Sequence, residues 1–297
     1  MRLTSRQCPR QHPRKMSIKA LERLFILLQH LLPKHRLSRL TALFAESRNP
    51  ILKNLLINVF VRVFGVDLSE ARYSRASDYE CFNDFFTRPL KDGVREFADS
   101  STYVLSPADG AVSQLGIIED GLIVQAKGHR YSVDELLGGD PELAEQFRDG
   151  SFATIYLSPK DYHRVHMPTR GELLSSQYVP GSLFSVNRAT ANGVPRLFAR
   201  NERLVSVFQT PHGKMALVLV GAVIVAGIRT VWGGGPQDGA APRICFDSDW
   251  TLEAGQEMGR FYLGSTAIVL FQKDQVAWNA ELTTGSKVRL GEAIAGF

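Results

Sequence analysis

The chain has few cysteines and no long apolar run, and each shortage excludes a class of protein. Its three cysteines, Cys8, Cys81 and Cys245, lie far apart in 297 residues and form no C-x-x-C pair. This pattern is typical neither of a zinc site nor of a disulfide framework, and it indicates a reducing compartment. No stretch approaches about 18 consecutive apolar residues, so a membrane-spanning helix is not expected.

Several local motifs are also missing. The chain contains no G-x-x-x-x-G-K-[ST] loop, and Gly233, Gly234 and Gly235 lack the following lysine and helix, so they are predicted to form a plain loop. Residues 1–15 are basic and lack the apolar core of a secretory signal. Met16 follows them, and Met1 and Met16 are both candidate starts.

Positive charge is concentrated at the front of the chain. Residues 1–66 carry 13 Lys and Arg against 2 Asp and Glu, a net charge of +11, whereas the whole chain is +5 and residues 67–297 are therefore −6. A basic front on a mildly acidic body suggests contact with an anionic partner, either nucleic acid or a phospholipid surface.

Two stretches of this front have the spacing of amphipathic helices. The first ends at Pro33, and the second begins after Pro50 with Gly65 as a plausible stop. The apolar face of the first stretch consists of Leu21, Leu24, Leu28, Leu31 and Leu32, and the basic residues that follow Pro33 are Lys34, Arg36 and Arg39. The apolar face of the second stretch consists of Leu52, Leu55, Leu56, Val59, Phe60 and Val63. Its polar face consists of Lys53, Asn54, Asn58 and Arg62.

Helices of this kind suit the interface of an anionic membrane, and we interpret residues 1–66 as a membrane-associating segment. The alternative is a pair of ordinary helices packed on the domain, with arginines that are merely solvated. Nucleic-acid binding is not favoured, because nothing resembles a recognition-helix module and apolar residues outnumber basic ones.

Residues 67–297 are predicted to form an α+β body, mainly an antiparallel β sandwich or barrel-like arrangement. A packing helix is expected between Ser77 and Pro89, and beyond residue 100 short β-type runs alternate with Gly, Pro and Asp. "HGKM" between two apolar runs predicts a hairpin, and "SVDELLGGDPELAEQF" predicts one helix.

Three stretches could carry chemistry: "SPADG" with Asp109, "YHRVHMP" with His163 and His166, and "LGST" with Ser265. Asp-Gly alone is a common turn. The two histidines have the spacing of metal ligands on a helix, but the flanking prolines favour strand or loop and no third ligand is evident, so no metal site is predicted.

Together, the three stretches supply the aspartate, histidine and serine of an activated nucleophile. The G-x-S-x-G elbow of common hydrolases is absent, and Ser265 instead follows Gly264, whose carbonyl is open to attack. Attack by the serine Oγ would turn the amide into an ester, and elimination followed by hydrolysis would leave a pyruvoyl group. A serine hydrolase acting in trans and a non-catalytic membrane-associated β-domain remain alternatives, both with an intact chain.

The motifs "FNDFFTRPL", "PADG", "QAKGHRYS", "YLSPKDYHRVHMP", "YVPGSLFSVN", "LFARNER" and "GQEMGRFYLGST" occur in this order. From about Met16 to its end the chain resembles the phosphatidylserine decarboxylase family, specifically its shorter bacterial-type members. The resemblance implies a self-cleaving proenzyme with a covalent pyruvoyl group, membrane association and a phospholipid substrate.

The resemblance also implies residue roles. Cleavage between Gly264 and Ser265 would give chains 1–264 and 265–297, with Ser265 becoming the pyruvoyl. His166 would be the base for cleavage with Asp109 as its partner, and His163 would act in decarboxylation, the alternative being a pocket or packing histidine.

In the implied reaction, the pyruvoyl serves as the electron sink that decarboxylation needs. The serine headgroup amine forms an imine, CO2 leaves, and a proton arrives at carbon from His163. Hydrolysis of the imine then releases phosphatidylethanolamine. The expected partners are phosphatidylserine, an anionic membrane surface and the two cleaved chains as a heterodimer that dimerises further, without nucleic acid. The expected location is peripheral, on the cytoplasmic face of the cell membrane.

Overall fold

In a computed structural model, the chain is described over residues 18–31, 34–223, 227–233, 244–245, 250–262 and 265–297. Several predicted features lie outside the described residues: residues 1–15, Met16, Leu32, Pro33, Gly234, Gly235 and the cleavage residue Gly264, together with the side chains of Leu21, Leu31 and Arg39.

Three helices open the described part of the chain and shorter ones follow. Asn49 caps the third by accepting the N–H groups of Ile51 and Leu52, and Gly65 ends it in the left-handed conformation, which confirms the predicted stop. The helices are α1 Ile18–Leu31, α2 Lys34–Ala45, α3 Pro50–Phe64, α4 Phe82–Phe86, α5 Val133–Leu136, α6 Pro141–Glu145, α7 Arg188–Gly193 and α8 Leu197–Arg200, with a 3₁₀ turn at Ala76–Asp78.

Strands dominate from residue 103 onward. They are β1 Tyr103–Leu105, β2 Gly110–Ile117, β3 Leu122–Ala126, β4 His129–Ser132, β5 Ser151–Leu157, β6 Arg164–His166, β7 Gly171–Val179, β8 Arg203–Thr210, β9 Gly213–Val220, β10 Gly227–Thr230, β11 Ile244–Cys245, β12 Thr251–Leu252, β13 Glu257–Tyr262, β14 Ser265–Phe271, β15 Ala277–Trp278, β16 Lys287–Val288 and β17 Ala293–Gly296.

The largest sheet runs in the order β11-β7-β8-β9-β14-β5-β2-β16, with β12 also paired to β7. All its described pairings are antiparallel, and β8 and β9 form the predicted hairpin, closed between Thr210 and Gly213. A smaller sheet has the order β10-β13-β6. The two outer strands of the large sheet do not pair with each other among the described residues, so the sheet is open and the barrel-like expectation is not met.

Strand β14 is central and is buried along its whole length. Ala267 and Val269 face one apolar cluster, whereas Ile268 and Leu270 face a second cluster on the opposite side of the sheet. A strand covered on both faces reads as a continuous apolar run, which explains the composition of "STAIVLF". The α+β class with N-terminal helices is confirmed.

Two cations of the basic front are directed inward, although Lys53 was predicted to lie on a polar helix face and Lys34 in a basic connection. Lys53 is buried, and its Nζ donates hydrogen bonds to the carbonyl oxygens of Ser77 and Tyr79. The Lys34 Nζ lies 3.1 Å from the centre of the Phe184 ring. These backbone and aromatic partners offset the free-energy cost of removing the two positive charges from water. Helical spacing alone does not predict such partners.

Two helix predictions are corrected. Residues 34–45 form a third N-terminal helix where only a basic connection was expected. The single helix predicted over residues 132–147 is two helices, α5 and α6, because Gly138 and Gly139 adopt φ values of 92° and 82°. Over the described residues, no helix is both long enough and apolar enough to cross a bilayer.

Candidate functional site

The "SPADG" loop and the histidine strand lie side by side. The His166 N–H donates to the Pro107 carbonyl oxygen at 2.8 Å, and the Leu105 N–H donates to the Pro168 carbonyl oxygen at 2.9 Å. A Cβ atom at Gly110 would lie 2.4 Å from the Tyr156 carbonyl oxygen, so the loop requires glycine there. Two motifs that are more than fifty residues apart thus form one part of the site.

Ser265 is the first residue of β14 and is paired with Leu157 of β5. Its side chain is completely buried, and its Oγ has no hydrogen-bond partner among the described residues. A buried hydroxyl without a partner is costly and calls for a functional explanation.

His163 lies beside the segment that leads to Ser265. It follows the loop after β5. Its carbonyl oxygen accepts a hydrogen bond from the N–H of Phe261 at 3.0 Å, and this bond extends the β6–β13 ladder by one residue. One ladder therefore ends at Phe261 and Tyr262 next to His163, and another begins at Ser265 next to Leu157. His163 thus lies at the end of the ladder that precedes residue 263, and Ser265 begins the ladder that follows residue 264.

The His163 ring is held as a neutral acceptor. Its Nδ1 lies 2.8 Å from the carbonyl oxygen of Asp161, which can only accept, so Nδ1 carries the hydrogen. Nε2 is buried without a partner, and the ring packs against Phe86 at 4.0 Å between centroids. Burial lowers the pKa of His163 to about 3, so the ring is neutral near pH 7.

The segment after α4 fixes the histidine loop. Arg88 is buried, and its Nη2 donates to the carbonyl oxygens of Lys160 at 2.8 Å and Asp161 at 3.2 Å. Arg164 Nε donates to the Thr87 carbonyl oxygen at 2.8 Å. The "FFTRPL" stretch, which the sequence suggested only as a packing helix, therefore positions the residues on both sides of His163.

His166 has partners on both ring nitrogens. Nδ1 lies 2.8 Å from the Gly255 carbonyl oxygen and therefore carries the hydrogen, so Nε2 accepts from the hydroxyl of Tyr162 at 3.0 Å. Burial lowers the pKa of His166 and raises the pKa of Tyr162. Tyr162 was not predicted as a site residue. The only sequence signal for it was its place in the motif "YHRVHMP", four residues before His166.

Asp109 is held by partners that the sequence did not indicate. Its carboxylate accepts from the guanidinium of Arg95, with Nε at 3.1 Å from Oδ1, and from the Leu290 N–H at 2.8 Å. No hydrogen bond joins Asp109 to His166 in the described part of the chain. Asp109 and Tyr162 do line one polar cavity of about 380 Å³, so the predicted pairing of Asp109 with His166 stays a prediction.

These features define a candidate site: a fully buried serine at the start of a central strand, with a buried, neutral His163 at the end of the neighbouring β6–β13 ladder. The family model described as phosphatidylserine decarboxylase matches residues 82–296, and a second model, described as PSD, matches residues 24–65.

Three curated relatives carry the name phosphatidylserine decarboxylase proenzyme. The protein from Pseudomonas fluorescens is 57% identical over 279 residues, covering 92% of this chain and 97% of the relative. The relative from Alcanivorax borkumensis is 52% identical over 283 residues, with 93% and 97% covered. The relative from Acinetobacter baumannii is 53% identical over 269 residues, with 91% and 94% covered. The chain belongs to the phosphatidylserine decarboxylase family, which confirms the resemblance.

Proposed function

We propose that the chain is a proenzyme that cleaves itself between Gly264 and Ser265 and then converts phosphatidylserine to phosphatidylethanolamine and CO2. The observation that carries this proposal is the buried, unpartnered Oγ of Ser265 at the start of a central strand. The hydroxyl has 0% exposure, and the preceding peptide bond is covalently attached to the same residue. The position therefore favours attack within the chain over hydrolysis in trans.

The prosthetic group that suits this site is a pyruvoyl group formed from Ser265. The serine Oγ has no hydrogen-bond partner among the described residues, so loss of the hydroxyl breaks no described side-chain hydrogen bond. When formed, a pyruvoyl group supplies the electron sink that decarboxylation requires. Around it, His163 presents a neutral Nε2, and Arg88 holds the loop that carries this histidine.

The two products of cleavage would remain associated. Strand β14, which would begin the 265–297 chain, is paired with β5 over seven residues and with β9 over six. Both neighbours belong to the 1–264 chain, and Leu290 of the shorter chain holds Asp109 of the longer one. Cleavage would therefore give a heterodimer with an intact sheet.

In the cleavage step we assign the base to His166 and electrostatic support to Asp109. Burial keeps His166 neutral, and the Gly255 carbonyl oxygen fixes the tautomer with its free lone pair on Nε2. The Tyr162 hydroxyl donates a hydrogen bond to this lone pair. The tyrosine therefore either holds the imidazole ring in place or carries the proton from the serine hydroxyl to His166.

We assign membrane contact to the helices of residues 1–66, on the cytoplasmic face of the cell membrane. Ile26 and Gln29 of α1 pack on the body, and Ile57 of α3 is fully buried. The same helices expose a set of large apolar side chains: Leu24, Leu27, Leu28, Leu40, Leu43, Phe44, Ile51, Leu55, Val59, Val63 and Phe64. A surface of this size on one part of a molecule indicates an interaction site.

An apolar cavity of about 420 Å³ connects this surface with the site. It is lined by Phe44 and Val63 of the helices, by Phe86, which packs on His163, and by Pro159 and Val223. Pro159 and Val223 follow β5 and β9, the strands that flank Ser265. The cavity has the position and lining expected for an acyl chain whose headgroup lies near residue 265.

A triple change of Leu43, Ile51 and Leu55 to serine is expected to weaken membrane binding. These residues are 71%, 80% and 58% exposed, and none of them lines the apolar cavity, so folding and self-cleavage should continue. Each apolar side chain removed from the lipid interface costs about 1.5–3 kcal/mol, so partition to anionic vesicles should fall by more than about 100-fold. Sedimentation with phosphatidylglycerol vesicles measures this.

The matched control changes Ile117 and Leu122, which are exposed apolar residues of the body, to serine. The control should bind vesicles normally, and the triple variant should still turn over a soluble short-chain phosphatidylserine. If the triple variant sediments like the control, the helices are packing elements and the membrane contact lies elsewhere.

The proposed activity is tested by release of CO2 from phosphatidylserine labelled in the serine carboxyl group. The purified, unmodified protein should release label and form phosphatidylethanolamine. Ser265→Ala should release none, because no electron sink can form without the hydroxyl. Label release by Ser265→Ala would refute the assignment of Ser265, and absence of release by an unmodified, cleaved protein would refute the activity.

A further inference from the structure

Glu202 lies in the same cross-strand row as Ser265. The Gly221 N–H donates to the Glu202 carbonyl oxygen at 2.9 Å, which extends the β8–β9 ladder by one residue. The β9–β14 register pairs Val220 with Thr266, so one further step places Ser265 opposite Gly221. Residues of one row direct their side chains to the same face. Only a glycine therefore separates Glu202 from Ser265 on that face.

The carboxyl group of Glu202 occupies the space that a side chain at Gly221 would need. A Cβ atom on Gly221 would lie 3.1 Å from Glu202 Cγ and 3.2 Å from Oε1. Opposed Cβ atoms in a sheet are about 4.5–5.5 Å apart. Oε1 therefore lies over Gly221, on the side of Glu202 that faces position 265.

The two oxygens of this buried carboxyl group differ in their described partners. The Tyr178 hydroxyl donates to Oε2 at 3.0 Å. Among the described residues, none hydrogen-bonds Oε1 and none forms an ion pair with Glu202. Its neighbours in "NER" differ, since Asn201 and Arg203 donate to backbone carbonyl oxygens and are used structurally. Burial raises the pKa of Glu202.

We propose that Glu202 binds the primary ammonium group of the serine headgroup and accepts a proton from it beside residue 265. This inference rests on the proposed function. The ammonium supplies the cation that a buried carboxylate needs. The proton moves from nitrogen to Oε1, no other bond changes, and the amine is left neutral, which is its nucleophilic form. A carboxylate whose pKa is raised is the better proton acceptor for this purpose.

Binding to an uncut chain tests the proposal without the prosthetic group. Ser265→Ala stays intact, and its affinity for dihexanoyl phosphatidylserine is compared with that for dihexanoyl phosphatidylglycerol, which has the same phosphate and acyl chains but no ammonium. Adding Glu202→Gln should weaken binding of the serine lipid by roughly 10- to 100-fold, the value of a hydrogen bond to a charged group. Binding of the glycerol lipid should not change.

Three results would each overturn the proposal. Glu202→Gln could weaken the binding of both lipids equally, it could weaken the binding of neither, or Ser265→Ala could fail to bind the serine lipid. The last result counts because Glu202 and residue 265 already share one cross-strand row in the uncut chain. Failure of the proposed function looks different: the unmodified protein would remain uncut or release no CO2.

The pH profile of the cleaved enzyme gives a second readout. Among the elements packed against Glu202, β7 brings the titratable Tyr178, and neither Gly221 nor Ser265 carries a charge. The kcat/KM of the unmodified enzyme should fall as the pH drops and Glu202 becomes protonated, and Glu202→Gln should lower kcat/KM and remove this limb. Tyr178→Phe should move the limb to higher pH, because the tyrosine hydrogen bond lowers the Glu202 pKa.

Glu202→Gln is nearly isosteric and should self-cleave like the unmodified chain. If both Glu202→Gln and Glu202→Asp stay uncut, Glu202 is needed for self-cleavage or folding, and the proposal is overturned. Glu202→Asp keeps the charge on a shorter side chain and should retain the acid limb with an intermediate kcat/KM.

Discussion

His166→Ala should leave the chain uncut. Removing the base abolishes the acceptor for the Ser265 proton, and a positioned base contributes about 10²- to 10⁴-fold to a rate. Asp109→Ala should also impair cleavage but less severely, because Asp109 contacts Arg95 and the Leu290 N–H and acts on the histidine only through its charge. The fraction of cut chain is followed by gel electrophoresis after cell-free synthesis.

The matched control is His212→Ala, which removes a histidine that stacks on Phe297 at 3.7 Å between ring centroids, on the hairpin between β8 and β9. This variant should cleave at the unmodified rate. Cleavage of His166→Ala at that same rate, with His163→Ala uncut, would show that the two histidine assignments are reversed.

His163→Ala should be cut normally and then decarboxylate at least about 100-fold more slowly. Its Nε2 has no hydrogen-bond partner among the described residues, and burial lowers its pKa to about 3, so the ring is neutral near pH 7. A neutral Nε2 cannot donate a proton, so His163 must first accept one before it delivers it to carbon. A single-turnover assay on cut protein measures this step.

Phe86→Leu is the matched control for His163, because it alters the ring contact at 4.0 Å and leaves the imidazole in place. It should retain most of the decarboxylation rate. His163→Ala activity equal to that of Phe86→Leu would mean that the histidine serves packing alone, the alternative that the sequence left open.

Local sequence patterns were sufficient for several elements of the fold. Alternation with turn residues indicated an antiparallel body, whereas the scissile position suggested by glycine before serine in an apolar strand stays a prediction. The end of α3 at Gly65 and the β8–β9 hairpin followed from local chemistry as well. In each case the deciding contacts lie within a few residues of one another.

The features that were missed depend on residues that meet only in the folded chain. Asp109 is bound by Leu290 across 181 positions, and Lys53 is buried because carbonyl oxygens of the following segment accept from it. Glu202 reaches the row of Ser265 only through the registers of three strands. Helical or strand periodicity carries no information about such contacts, since the register is set by packing.

Intact mass spectrometry of the purified, unmodified protein tests the central claim most directly. The account predicts two chains: residues 1–264, and a 33-residue chain that begins at the former Ser265. The shorter chain should be lighter by one ammonia than the same peptide with an N-terminal serine. A single uncut chain in protein that decarboxylates phosphatidylserine would contradict the account.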